Sequence, residues 1–158
     1  MKSAYNYNRF LMVTIISFSF IFMECNVMFT GSSVSKSLIG NVAINGYDPV
    51  AYFQAGRATK GSETKFFQWK GANWYFTNKE NRDLFAANPE KYAPQYGGYC
   101  AWAMTTAQKA HTDPEVWKIV DGKLYLQCSK DAFKKWQKDI PGNIKKADAN
   151  WIKISERK

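Results

Sequence analysis

The stretch Lys65-Phe66-Phe67-Gln68-Trp69-Lys70-Gly71-Ala72-Asn73-Trp74-Tyr75-Phe76 contains two aromatic runs on either side of a short turn sequence. Aromatic residues favour β-strands and glycine favours a tight turn, so this stretch predicts an antiparallel hairpin. Thr77 and Glu80 then form a capping box, which predicts a helix directly after the hairpin. We expect that helix to end at Asn88-Pro89, because proline cannot continue a helix.

A second hairpin and helix are predicted further along the chain. Residues 116–120 and 123–126 are rich in strand formers and flank Asp121-Gly122, a dipeptide typical of tight hairpin turns. Ser129 is placed to cap the next helix. The apolar positions of that helix and of a last amphipathic helix after Pro141-Gly142 recur at helical spacing: Ala132, Phe133, Trp136 and Ile140, then Ile144, Ala147, Trp151 and Ile154.

These elements predict a compact single domain of the α+β class, with two short antiparallel β-hairpins, each followed by a helix, and a C-terminal amphipathic helix. Asp48-Pro49 predicts a further short helix to about Gln54, and residues 96–106 read as a buried helix after a flexible Gly97-Gly98. Residues 105–114 read as a surface loop. We expect a total of four or five helices around a core of Phe67, Trp69, Trp74, Phe76, Trp117, Leu124, Leu126, Phe133 and Trp136.

The N-terminus has the layout of a secretory signal peptide. Lys2 and Arg9 precede a mostly apolar stretch from Phe10 to Met23. As a helix, this stretch would span about 21 Å, short of the roughly 30 Å of a bilayer core, so a permanent anchor is not favoured. Cys25 permits a lipoprotein interpretation, but the residues before it are bulky. We therefore expect a signal peptide over residues 1–32, an extension over 33–44, a domain over 45–158 and export to a periplasm or the extracellular space.

The chain is basic, with a net charge of +9. Lysines concentrate in the last two predicted helices, where they form either an ordinary solvated helix face or a surface for anionic lipid head groups or an acidic partner. Nucleic-acid binding is not expected, because no helix-turn-helix, zinc-finger or RNA-platform motif occurs. Catalysis is not expected either, because the chain contains no nucleophile elbow, phosphate loop, paired histidine ligands or His-Asp dyad.

Several blocks occur in the order seen in the YHS-domain family. They are Asn45-Gly46-Tyr47-Asp48-Pro49-Val50-Ala51-Tyr52-Phe53, Tyr96-Gly97-Gly98-Tyr99-Cys100-Ala101-Trp102-Ala103, residues 122–126, 135–142 and 148–151. The chain resembles the exported, single-domain branch of that family. Related domains bind metals through cysteines, so the resemblance implies a metal-binding module. At the position where such domains have cysteine after Asp-Pro-Val, this chain has Ala51.

A soft-metal site is therefore considered at Cys100, Met104, His111 and Cys128, since thiolate, thioether and imidazole suit copper. From the residues alone, Cys100 and Cys128 are compatible with structural thiols, with a disulfide, or with a metal or redox role, and structural thiols are favoured over the other two. His111, the sole histidine, is also compatible with an ordinary surface position. The first functional hypothesis is thus an exported YHS-like module that binds or traffics copper or another soft metal.

The second hypothesis is a metal-independent domain for small-molecule or protein contact. Tyr47, Tyr52, Tyr75 and Tyr99 could line an aromatic pocket with a rim of hydroxyl groups, although aromatics at such spacing also build cores. In this hypothesis the basic C-terminal helices provide a second contact surface. A third interpretation, an oxidoreductase with a reactive Cys128, is least favoured.

Overall fold

The computed structural model describes residues 33–37 and 40–155 and has the predicted α+β architecture. Two antiparallel hairpins form separate two-stranded sheets. In chain order the strands and α-helices are α1 (Ala51–Gln54), β1 (Ser62–Trp69), β2 (Ala72–Phe76), α2 (Lys79–Ala87), α3 (Pro89–Tyr92), α4 (Ala101–Met104), β3 (Asp113–Val120), β4 (Lys123–Gln127), α5 (Lys130–Gln137) and α6 (Ile140–Ser155).

The chain folds as two similar units. The first unit contains α1, β1, β2 and α2, and the second contains α4, β3, β4 and α5, with matching lengths at a nearly constant offset along the chain. Each unit begins with a left-handed turn, at Ile44–Gly46 and at Gln95–Gly98. In each hairpin the first strand bulges, between Ser62 and Phe66 and between Asp113 and Trp117. The repeat suggested by the sequence is therefore present in the backbone.

The two left-handed turns pack against each other. Ile44 has a φ of 40° and Tyr96 a φ of 57°, a region that β-branched and bulky residues rarely adopt. A Cβ placed on Gly98 would lie 2.9 Å from the side chain of Ile44. Only glycine fits at that contact, so the backbone of the second unit lies directly against the side chain of Ile44.

Each unit also holds its short helix to the end of its hairpin through one side chain. In the first unit, Asp48 accepts hydrogen bonds from the backbone N–H of Val50 and Ala51 at the start of α1, and from the N–H of Thr77 just after β2. In the second unit, Cys100 lies just before α4 and accepts the N–H of Cys128 just after β4. The carboxylate and the thiol therefore perform equivalent structural roles.

The core has one large cluster under the first unit and a second cluster under α6. The first contains Phe67, Trp69, Trp74, Phe76, Trp117, Leu124 and Leu126, and the second contains Phe133 and Trp136. All predicted core residues are thus in packed clusters. Phe85, on α2, lies at the centre of the first cluster, where its ring is 5.1 Å from that of Trp74 and 5.3 Å from that of Phe76.

Several element boundaries differ from those predicted. Thr77 does not cap α2, because its N–H and hydroxyl both donate to Asp48, and Asn78 provides the cap instead. α2 does end before Asn88-Pro89, as predicted, but Asn88 also caps a further short helix that begins at this proline. α6 begins before Pro141-Gly142, which fit in its first turn.

The segment around Gly97-Gly98 is not a flexible leader to a long helix. Gly97 carries a φ of 63° and packs so tightly that a Cβ there would lie 1.9 Å from the backbone oxygen of Ser33. The following helix, α4, covers only Ala101–Met104. The predicted surface loop over residues 105–114 is also partly wrong, because Ala110 and Thr112 are buried and Asp113 already belongs to β3.

Over residues 33–37 and 40–155, no helix combines the length and the apolar character needed to cross a bilayer. The predicted signal peptide, residues 1–32, lies outside the described residues, as does Cys25.

Candidate functional site

The thiol of Cys100, the central residue of the predicted metal site, is fully buried. Its Sγ accepts the backbone N–H of Cys128 at 3.2 Å, and its S–H donates to Oε1 of Gln127 at 3.6 Å. Burial raises the pKa of this thiol above its ordinary value, because a thiolate is poorly solvated in an apolar interior. Binding a metal at Cys100 would require the loss of the thiol proton, and with it the bond to Gln127, and access to the interior.

The two cysteines of the domain do not bridge. Cys100 carries a free thiol, whereas Cys128 is disulfide-bonded. The sequence left open whether these cysteines are structural thiols, form a disulfide, or have a metal or redox role. In the structure Cys100 is a structural thiol and Cys128 is in a disulfide, but the two cysteines are not paired with each other.

Met104 and Cys100 belong to different apolar clusters. Met104 is buried in the cluster under α6, whereas Cys100 packs with Ala103, Ala110 and Ala132. His111 is half-buried, and its Nδ1 lies 3.1 Å from Oγ of Ser35. Its Nε2 is buried without a hydrogen-bond partner among the described residues. The soft-metal site therefore remains a prediction, made from the resemblance to the YHS-domain family.

Within the described ranges, no three side chains of His, Cys, Asp or Glu are grouped so that they could hold a metal ion. Among the described acidic side chains, Asp48 accepts the most hydrogen bonds. There are five, from the N–H groups of Val50 and Ala51, the N–H and the hydroxyl of Thr77, and the side-chain amide of Asn81. Its oxygens are therefore engaged in holding the fold.

Comparison of the two hairpins identifies a different candidate site. In the second hairpin, Leu124 and Leu126 on β4 are buried in the large core cluster, and the half-buried Trp117 and Ile119 on β3 pack against it. Trp117 makes an edge contact with Tyr52, with ring centroids 5.1 Å apart. This face of the second hairpin is thus covered by the first unit.

The equivalent face of the first hairpin is open. It consists of Phe66 and Gln68 on β1 and Asn73 and Tyr75 on β2, and we call it the outer face. Phe66 pairs with Tyr75 and Gln68 pairs with Asn73 across the hairpin. Phe66 is 49% exposed, Gln68 is exposed, and the other two are half-buried. Since alternate residues of a strand point to opposite sides, Phe67 and Trp69 face the core instead.

Two adjacent cavities lie on the outer face. The larger has a volume of about 480 Å³ and includes Tyr75, Gly46, Lys60 and Glu63 in its lining. The smaller has a volume of about 220 Å³ and is lined by Asn41, Gln68, Trp69, Lys70, Gly71 and Asn73. Asn73 and Tyr75, which line the smaller and the larger cavity respectively, are two positions apart on β2.

Charged side chains rim these cavities. Lys60 donates to the backbone oxygen of Asn45 at 2.6 Å and lies over the ring of Tyr47. Lys70 lies over the ring of Trp69 and pairs at 3.4 Å with the exposed Glu90.

Of the four tyrosines predicted to line a pocket, Tyr75 lines the larger of these two cavities, and the other three line neither. Tyr52 is buried and donates to the backbone oxygen of Pro114, and Tyr99 is buried and donates to that of Val34. Tyr47 lies beneath Lys60, and a hydrogen bond to Glu115 raises the pKa of its hydroxyl. The sequence analysis missed Gln68, Asn73 and Asn41, because isolated amides carry no pattern. An alignment of the two hairpins could have revealed them, since polar residues replace Ile119 and Leu124.

The basic C-terminal helices form a second surface. Seven exposed lysines lie on or beside α5 and α6: Lys130, Lys134, Lys135, Lys138, Lys145, Lys146 and Lys153. The three aspartates of this region each have an internal partner, which is Lys134 for Asp131, the N–H of Gly142 for Asp139 and the hydroxyl of Tyr96 for Asp148. The lysines are therefore the dominant charge on this surface.

No protein-family model, curated protein or solved structure matches the chain.

Proposed function

We propose that this chain is a metal-independent binding module whose ligand occupies the outer face of the first hairpin. The observation that carries the proposal is the difference between the two units. The face that Trp117, Ile119, Leu124 and Leu126 bury in the second hairpin is open in the first, and there it carries both cavities.

The composition of the outer face supports a ligand of small-molecule size. Small-molecule sites occupy about 300–1,000 Å³ and combine apolar walls with a few polar groups, and the larger cavity is in that range. Phe66 and Tyr75 offer aromatic surface, while Gln68 and Asn73 offer hydrogen-bonding amides beside it. Phe66 is 49% exposed on the same face.

The YHS-like resemblance and export through an N-terminal signal peptide are part of this proposal and depend on the sequence alone. The copper hypothesis belongs to the same resemblance. The copper hypothesis is an alternative to the outer-face proposal, because the copper donors lie on the second unit. The thiol of Cys100, one of these donors, is buried in the interior.

A screen of water-soluble small molecules by ¹⁵N NMR tests the outer-face proposal. We expect the hits to shift backbone signals of β1 and β2, and we expect Tyr75→Ala to abolish those shifts while Tyr75→Phe keeps them. Hits that map only to α4, α5 or α6, or a complete absence of hits, would contradict the proposal.

The lysine surface favours a second function, which is contact with an anionic membrane surface. Each basic residue near such a surface contributes about 1 kcal/mol, and the aspartates of α5 and α6 already have internal partners. Sedimentation with phosphatidylserine vesicles tests it. Binding should fall with salt and with Lys145→Glu/Lys146→Glu, whereas salt-insensitive binding or no binding would contradict it.

A further inference from the structure

We infer that the ligand of the outer face is an acidic saccharide, a small polyhydroxylated molecule that carries one anionic group. This inference rests on the proposed function and specifies the chemistry of its ligand. It follows from three features of the cavities: unpartnered amides, exposed aromatic surface and lysines at one end.

The amides of the smaller cavity are available for a ligand. The side chains of Asn41, Gln68 and Asn73 line this cavity, and none of them makes a side-chain hydrogen bond within residues 33–37 and 40–155. An amide offers donors and an acceptor together, as a hydroxyl group does, so amides are suited to neighbouring hydroxyls. Three such amides around one cavity match the repeated hydroxyl groups of a sugar ring better than they match a single ion.

Aromatic surface lies beside the amides. The ring of Tyr75 lines the larger cavity, and Phe66, its cross-strand partner, is 49% exposed. Gly46 lies against this ring, since a Cβ placed on Gly46 would be 3.1 Å from it. A sugar ring has an apolar face of C–H groups that can pack on such a ring while its hydroxyls turn to the amides.

The charges indicate where an anionic group would lie. Lys70 lines the smaller cavity, and Lys36 Nζ lies 3.8 Å from the position of a Cβ on Gly71 in the same lining. The only carboxylate near Lys70 among the described residues is that of Glu90, which is 79% exposed at 3.4 Å, and such exposed pairs contribute little. The larger cavity is lined by Lys60 and Glu63, whose formal charges cancel, so the net positive charge lies at Lys36 and Lys70 and orients the anionic group of a ligand there.

A matched pair of probes tests the inference. Cellobiose is neutral, and cellobiouronic acid differs from it by a single carboxylate. We expect cellobiouronic acid to bind roughly fivefold to tenfold more tightly by isothermal titration calorimetry at low salt, with the advantage shrinking as salt rises. Acetate, which offers the carboxylate alone, should bind at least tenfold more weakly than cellobiouronic acid.

Charge variants locate the effect. The double change Lys36→Gln/Lys70→Gln should remove the advantage of the acidic sugar, whereas Lys145→Gln/Lys146→Gln, which removes the same charge on α6, should not. Gln68→Ala/Asn73→Ala should weaken both sugars. Unchanged thermal unfolding of each variant excludes misfolding as the cause.

The possible failures are distinct. Equal affinity for the two sugars, or an equal effect of both lysine pairs, overturns the anionic part of the inference. If neither sugar binds while other small molecules still shift the β1 and β2 signals, the saccharide inference fails and the outer-face function stands. If no molecule shifts those signals, both fail.

Discussion

Asp48 and Cys100 occupy equivalent positions in the two units of this fold. Each precedes a short helix, and each accepts the backbone N–H of the residue that follows the second strand of its unit, at 2.9 Å for Asp48 and 3.2 Å for Cys100. A feature that the sequence suggested as a metal ligand is thus the counterpart of a structural carboxylate.

Substitution of Asp48 should destabilise the whole domain. Asp48→Asn retains the shape of the side chain but turns an NH₂ group toward the donors of Thr77 and Asn81, which then lose their acceptor inside the core. We expect a loss of about 3 kcal/mol in the free energy of unfolding, measured by urea denaturation. Asp131→Asn is the control, because Asp131 is exposed and pairs only with Lys134. Equal losses for the two variants would refute the role of Asp48.

The contact at Gly97 can be separated from its backbone conformation. Gly97 and Gly56 have nearly the same φ, 63° and 62°, but a Cβ on Gly97 would overlap the backbone of Ser33 while a Cβ on Gly56 meets nothing within 4 Å. Gly56→Ala should cost about 1 kcal/mol for the left-handed conformation alone. Gly97→Ala should cost roughly 3 kcal/mol or more by thermal or urea unfolding. A similar cost for both would show that the turn at Gly97 is not tightly packed.

The thiol of Cys100 should be unreactive in the native protein. Because it is buried and its pKa is raised by burial, we expect no reaction with a thiol reagent at pH 8 until urea is added. In a Cu(I) titration, Cys100→Ser should bind the same amount of copper as the wild type. Stoichiometric copper binding that disappears in Cys100→Ser would favour the metal hypothesis over the outer-face proposal.

Stability should decline in alkaline solution. Burial raises the pKa of Tyr125 from 10.0 to about 12 and that of Cys100 above 9.0. The unfolded chain therefore loses these protons at a lower pH than the folded chain, so the free energy of unfolding falls as the pH rises from about 9 towards 12. Tyr125→Phe should make this decline shallower in urea unfolding between pH 8 and pH 11. An identical decline in both proteins would contradict the assignment.

The secondary structure was predicted well from local sequence signals. The hairpin turn at Asp121-Gly122 and the helix cap at Ser129 each depend on residues that are close together in the sequence. Long-range features were not predictable in this way. The contact of Asp48 with Thr77 and the contact of Ser35 with His111 join distant parts of the chain. The open outer face was also missed, since it is recognised only when the two hairpins are compared in the folded chain.

Hydroxyl-radical footprinting tests the central claim, that equivalent faces of the two hairpins differ in accessibility and that the open one binds the ligand. Without ligand, we expect oxidation at Phe66 and Tyr75 and protection of Leu124 and Leu126, which are fully buried in the core. With a saturating ligand from the screen, Phe66 and Tyr75 should become protected. Protection of Phe66 and Tyr75 before any ligand is added, or unchanged oxidation of both in its presence, would contradict the claim.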